Sequence, residues 1–111
     1  MSKQRFNKVI LELIFKVNKL IEMELEVPGK AKSERSYIPT RIERITSNSI
    51  VVSAPCHNGF LIPLRIGDSV SIRIYRFGAL YSCDVKVMGR MKESSPVLQL
   101  SFPQTIHKVQ L

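Results

Sequence analysis

Hydrophobic residues recur with two different periods along this chain. Between residues 4 and 21, apolar side chains recur at steps of three and four, which is the period of an amphipathic helix. These positions are Phe6, Val9, Ile10, Leu13, Ile14, Val17, Leu20 and Ile21. From Met23 onward the period becomes two, because Met23, Leu25 and Val27 alternate with glutamates. A period of two is that of a strand, so the pattern predicts one N-terminal helix followed by a β-rich part.

Short alternating stretches separated by turn residues continue along the rest of the chain. Turn signals stand at Asn58-Gly59, Gly67-Asp68 and Phe77-Gly78. Strands are predicted at 37–45, 50–54, 60–64, 70–74, 81–87 and 97–102, and 88–96 is predicted to be a loop. Six or seven short antiparallel strands at this spacing predict a compact β-barrel, because closure removes the sheet edges of so small a domain.

The chain is therefore expected to be mainly β and to have three parts. Residues 1–22 form the amphipathic helix, residues 23–103 form the barrel domain, and residues 104–111 form a C-terminal tail. A length of 111 residues suits a single domain.

The N-terminal helix is apolar enough to require a surface to pack against. Three surfaces fit: the open side of its own barrel, the same helix in a second copy, and a membrane surface. Packing on protein is favoured over the membrane, and a homodimer is one form of it. The candidate interaction residues are Phe6, Ile10, Leu13, Ile14, Val17 and Leu20.

The net charge and the two cysteines indicate which partners and which cellular compartment suit this protein. The formal net charge of +8 favours an acidic partner, although it equally suits plain solubility, because the basic residues are spread along the chain. Charges at Glu12, Lys16 and Lys19 interrupt the N-terminal apolar run, so we expect neither a secretory signal nor a membrane span. Cys56 and Cys83 are expected to be free thiols in a reducing cytoplasm, and a disulfide between them is the less favoured alternative.

The sequence contains no recognisable catalytic, metal-binding or cofactor-binding constellation. His57 and His107 lack a neighbouring nucleophile with a carboxylate, and no C-x-x-C pair or glycine-rich phosphate loop occurs. We therefore expect no enzyme, and no catalytic residue, metal ligand or cofactor site in this chain. For a phosphate-rich ligand the candidates are Arg35, Arg41, Arg44, Arg65, Arg73, Arg76 and Arg90, of which Arg41 and Arg73 fall on predicted outward faces.

Nucleic-acid binding by a stand-alone basic barrel is the alternative function. Aromatic residues in small barrels sometimes form a stacking platform for single strands. The residues concerned are Tyr37, Phe60, Tyr75, Phe77 and Tyr81. A stacking platform needs aromatic and basic residues on the same strand face, and the sequence pattern does not place them there. Nucleic-acid binding is therefore the less favoured hypothesis.

Several segments in a fixed order resemble one known family. They are M-E-L-E-V-P-G (from Met23), Y-I-P-T-R-I-E-R-I (from Tyr37), I-V-V-S-A-P (from Ile50), I-P-L-R-I-G-D-S-V (from Ile62), A-L-Y-S-C-D-V-K-V (from Ala79) and P-V-L-Q-L-S-F-P-Q-T-I-H-K-V-Q (from Pro96). Together they resemble the N-terminal domain of YcgR-type flagellar brake proteins, the domain that precedes PilZ. The resemblance runs from Met23 to Gln110.

The resemblance implies a small split β-barrel that acts as a non-enzymatic regulatory module in bacterial motility. It implies a PilZ domain, in the same chain or another, that binds cyclic di-GMP, with residues 104–111 leading toward it. It also implies motor or stator proteins as partners and a cytoplasmic location at the motor base. The family's R-x-x-x-R signature is not present here: His107 stands where the family usually has arginine, and Leu111 where the first signature arginine is expected. Cyclic di-GMP is therefore implied only for the PilZ part.

Overall fold

The computed structural model of the chain describes residues 3–5, 12–26 and 35–110. These residues form ten strands: β1 (Lys3–Arg5), β2 (Leu20–Glu26), β3 (Arg35–Ile45), β4 (Ser49–Ser53), β5 (Cys56–His57), β6 (Phe60–Leu61), β7 (Ser69–Arg76), β8 (Ala79–Lys92), β9 (Pro96–Ser101) and β10 (Thr105–Lys108). The predicted mainly β class is confirmed.

Six strands close into an antiparallel barrel, as predicted. The ring runs β8-β7-β2-β3-β4-β9 and closes where β9 pairs with the second half of β8. The strands β10 and β1 extend the sheet from the first half of β8, and β5 and β6 form a separate small hairpin. Strand β8 pairs with β10 before its register shift and with β9 around and after it. The shift lies between Val87 and Gly89, where a bulge redirects the strand.

The core follows from the alternation of apolar and polar positions along the strands. Ile21, Met23 and Leu25 of β2 point inward, and Val70, Ile72 and Ile74 of β7 do the same. Strands β2 and β7 thus each contribute one apolar face, and the barrel encloses these faces away from water.

The helix predicted over residues 4–21 is wrong at both ends. Lys3–Arg5 is a strand paired with β10, and Leu20 and Ile21 already belong to β2. Between them, residues 12–14 form a short helical turn, and a turn follows at residues 17–18, where Asn18 adopts a positive φ of 72°. The strand begins early because the alternation that buries Met23 and Leu25 also buries Ile21. Residues 6–11 lie outside the described residues.

Other boundaries also differ from the prediction, among them the strand predicted at 60–64, which ends at Leu61. The stretch 88–96 was predicted as a loop, but β8 continues to Lys92 because it pairs with β9 beyond the bulge. The tail 104–111 contains β10, whose Ile106 is buried in the core. Within the part of the chain that the structure describes, no helix has the length and apolar character needed to span a membrane.

Candidate interaction surface

One end of the barrel is covered by the segment that precedes β2. At one side of this segment, Arg76 Nη2 donates a hydrogen bond to the carbonyl oxygen of Leu13 at 3.2 Å. At the other side, the Asn18 amide donates to the Ile42 carbonyl at 2.8 Å, and the Ile42 amide donates to the Lys19 carbonyl at 2.9 Å. The segment therefore bridges the β7–β8 turn and strand β3.

Residues of the predicted interaction face divide between core and surface. Ile14 is buried, as is its neighbour Phe15, which is only 1% exposed. Leu13, Val17 and Leu20 are 51%, 49% and 57% exposed. Phe6 and Ile10 lie outside the described residues. The role of this face in binding a partner stays a prediction.

The β7–β8 turn adds two aromatic side chains to the same end of the barrel. Tyr75 and Phe77 are both exposed. The β2–β7 register pairs Glu22 with Arg73, and continuing it by two residues places Leu20 beside Tyr75 on the outer face. The apolar residues Leu13, Val17, Leu20, Tyr75 and Phe77, with the neighbouring cations Lys16, Lys19 and Arg41, are called the barrel-end patch below. Sequence reasoning named Leu13, Val17 and Leu20 as interaction residues. It did not join them to Tyr75 and Phe77, because these come from a separate segment of the chain.

Charges on the outer faces of β2, β3 and β7 are largely paired. The Arg73 Nε atom lies 2.8 Å from Glu22 Oε1, and its guanidinium carbon lies 3.3 Å from the centroid of the Tyr37 ring. The Arg35 Nε atom lies 3.2 Å from Glu24 Oε1. These pairs neutralise carboxylates of β2. None of the ion pairs among the residues that the structure describes includes Lys16, Lys19 or Arg41.

The structure does not bring the seven candidate arginines together. Arg44 forms a two-pronged pair with Glu93 at 2.9 and 2.6 Å. The hydrogen bonds from Arg44 hold the pKa of the Glu93 carboxyl below its ordinary value. The pair therefore contributes to stability above the carboxyl's unfolded-state pKa, and the contribution is lost as the pH falls through the folded-state pKa. Because both side chains are exposed, this contribution is small.

Three grooves on the described surface are poor sites for a phosphate-rich ligand. A groove of about 530 Å³ lies where β8 leaves β10 to pair with β9, and its charged side chains are Asp84 and Lys86, with no arginine. Two smaller grooves contain one arginine each, Arg35 and Arg41. Bidentate recognition of several phosphate oxygens needs more than one guanidinium.

The five aromatic residues of the predicted stacking platform do not share a face. Tyr81 is half-buried and packs against the core. Tyr37 is stacked against Arg73. Phe60 lies in the β5–β6 hairpin, whereas Tyr75 and Phe77 lie at the barrel-end patch. This placement lends no support to single-strand stacking.

The two cysteines are both free and differ in environment. Burial, helped by the nearby Asp84 carboxylate, raises the pKa of the Cys83 thiol to about 12. Cys56 is exposed, and its Sγ lies 3.6 Å from the Ala54 carbonyl oxygen. Within the described part of the chain, no group of three or more His, Cys, Asp and Glu side chains has the geometry to hold a metal ion.

A thiol-specific reagent is therefore expected to modify one cysteine rapidly in the native protein. The thiolate is the reacting form, and the buried, high-pKa Cys83 provides almost none at mild alkaline pH. Absorbance after addition of Ellman's reagent should correspond to one thiol, and to two after denaturation. Cys56→Ser should abolish the native reaction, whereas rapid loss of both thiols in the folded protein would contradict the buried position of Cys83.

Comparison with known proteins supports the resemblance found in the segments. The model of the family described as flagellar protein YcgR matches residues 16–103, which begins before the predicted barrel boundary at residue 23. No curated protein matches the chain.

The solved structure of the Bacillus subtilis inhibitor of motility MotI/DgrA is similar, with a TM-score of 0.69 at 14% identity. The alignment covers 87% of this chain and 47% of that chain, so this chain spans about half the length of its structural relative. At this level of identity the likeness concerns the fold. The match to the family model extends over most of the 111 residues, and the chain therefore belongs to the family of flagellar protein YcgR.

Proposed function

We propose that this chain is a non-enzymatic interaction module of a cyclic di-GMP-responsive flagellar brake. The observation that carries the proposal is the match of the flagellar family model over residues 16–103, which covers all six strands of the closed barrel. The module docks a PilZ domain, in the same chain or in a second one, and the pair acts on motor or stator proteins at the cytoplasmic base of the motor. The ligand is bound by the PilZ part.

Motor binding can be tested with purified components. The chain is immobilised, and the cytoplasmic portions of stator and rotor proteins from a flagellated bacterium are passed over it, with and without an added PilZ domain and cyclic di-GMP. Saturable binding to one of these proteins supports the proposal. If none of the motor proteins binds under any of these conditions, the proposed function is wrong.

The chain alone is expected to show no micromolar binding of cyclic di-GMP. The reason is that none of the three grooves described above contains two arginines. Isothermal titration of the dinucleotide into the chain should give only heats of dilution, with a PilZ-containing brake protein as the positive control. Binding at micromolar or tighter affinity would mean that the barrel itself carries the ligand site.

The nucleic-acid alternative is tested by the dependence of oligonucleotide affinity on salt. Phosphate contacts release counterions, so affinity for a labelled single strand should fall steeply as salt rises if this alternative holds. We expect only weak binding at low salt, because the exposed aromatic residues are dispersed over the surface.

A further inference from the structure

Phe77 occupies a position that neither its backbone nor its exposure favours. Arg76 pairs with Ala79 across a two-residue turn, and both turn residues have positive φ, 54° at Phe77 and 72° at Gly78. Turns of this kind prefer Asn, Asp or Gly in the first position, because other side chains are strained there. The Phe77 side chain is also 69% exposed, so packing against the described residues does not explain a phenylalanine here.

A second two-residue turn among the described residues shows which residues favour this backbone. His57 pairs with Phe60 across Asn58 and Gly59, with φ values of 52° and 82°. The backbone geometry is the same as at the β7–β8 turn, and the first position holds asparagine. An unfavourable residue in the same geometry is evidence that Phe77 serves a contact outside the chain.

Arg76 links Phe77 to the segment that precedes β2. The Arg76 guanidinium carbon lies 4.8 Å from the centroid of the Phe77 ring, and Arg76 is anchored to the Leu13 carbonyl. The Arg76 Nε atom is buried and has no hydrogen-bond partner among the described residues. Leu13, whose carbonyl binds Arg76, is exposed, as are Tyr75 on the same strand as Arg76 and Leu20.

The charged residues around the barrel-end patch indicate which kind of partner surface it can bind. Lys16 and Lys19 lie on the segment between Leu13 and Leu20, and Arg41 pairs with Leu20 across β2 and β3. Glu12 directly precedes that segment. The nearby Glu22 is bound to Arg73, and Glu43, which lines one groove with Leu20 and Arg41, accepts a hydrogen bond from Ser53. A second copy would bring these unpaired cations against their own counterparts, which disfavours self-association.

An anionic lipid surface fits better than a protein surface. Lysine is depleted from the cores of protein–protein interfaces. Exposed aromatic and aliphatic residues beside lysines and arginines are typical of elements that lie in the interface of an anionic bilayer. We propose that the barrel-end patch binds an anionic membrane surface, with Phe77 inserted at the boundary between headgroups and acyl chains, and with Lys16, Lys19 and Arg41 against lipid phosphates. This proposal does not depend on the motor function proposed above.

Vesicle flotation tests the proposal with the complete chain. Phosphatidylcholine vesicles containing phosphatidylglycerol are compared with vesicles of phosphatidylcholine alone, at low and at raised salt. We expect the chain to float with the anionic vesicles, and we expect the bound fraction to fall as salt rises because the cations are screened. Phe77→Asn should lower the partition coefficient by about tenfold or more, since it removes the inserted ring.

Phe77→Asn is a clean variant because asparagine suits the positive φ of the turn. Its thermal midpoint should equal or exceed that of the parent chain. The matched control is Phe60→Asn: Phe60 is 77% exposed but lies in the β5–β6 hairpin, outside the patch, so its loss should leave the partition coefficient unchanged.

Several outcomes would overturn the proposal. These are an absence of flotation with anionic vesicles, equal flotation with neutral vesicles, an unchanged partition coefficient for Phe77→Asn, and an equal loss for Phe60→Asn. Light scattering without vesicles distinguishes a further case: a doubled mass that Phe77→Asn returns to the monomer value assigns the patch to a second copy of the chain instead.

Discussion

Replacing Phe15 by alanine is expected to lower the free energy of unfolding by about 3–5 kcal/mol. The Phe15 ring is almost fully buried and belongs to the core cluster, so its removal loses apolar burial and leaves a cavity. Domains of this size are stable by only about 5–15 kcal/mol, and the variant should lose a large share of that. Urea unfolding followed by far-ultraviolet circular dichroism measures the change.

Val17→Ala is the matched control for Phe15→Ala. Val17 lies two residues further along the same segment but is about half exposed, so its truncation should change the free energy of unfolding by no more than about 0.5 kcal/mol. Equal effects of the two variants would mean that this segment does not cover the end of the barrel as described.

Leu100→Ala is expected to have the second largest effect, a loss of about 2–5 kcal/mol in the free energy of unfolding. Leu100 lies on β9, the strand that closes the barrel, and it pairs with Ile50 on one side and Val87 on the other. All three side chains are buried. The cavity therefore forms where two halves of the sheet meet, and the thermal midpoint by calorimetry should fall accordingly.

Gln99→Ala provides the control on the same strand. Gln99 is adjacent to Leu100 but only half-buried, and its truncation should cost less than about 1 kcal/mol. If the Leu100 variant is as stable as the Gln99 variant, the closure of β9 against β8 is not a source of stability.

The strands were predictable where the alternation of polarity is local. Met23 and Leu25 indicated β2, and the Asn58-Gly59 pair indicated a two-residue turn that the structure contains. Loop 88–96 was predicted wrongly because Gly89 and the polar residues around it pair with β9 through long-range register, which no local pattern shows. The strand β10 was missed for the same reason, since it exists by pairing with β1 and β8.

The helix prediction shows how two periods can overlap. Ile14, Val17 and Ile21 satisfy a helical spacing, yet Ile21 is also the first inward residue of β2. Residues 20 and 21 adopt the strand rather than the helix because they pair with β3, where Leu20 lies opposite Arg41. Leu13, Val17 and Leu20 were predicted as interaction residues, but their place beside Tyr75 and Phe77 in the barrel-end patch was not, because the two segments come together only after the barrel has formed.

Closure of the barrel leaves one short free edge on the main sheet of the described residues. That edge is β1, which pairs with β10 on one side only. It has three residues, Lys3–Arg5, and so short an edge is a poor template for pairing with a strand of another molecule. The main sheet of the described residues thus offers little edge for aggregation, while Tyr75 and Phe77 stay exposed near the β7–β8 turn.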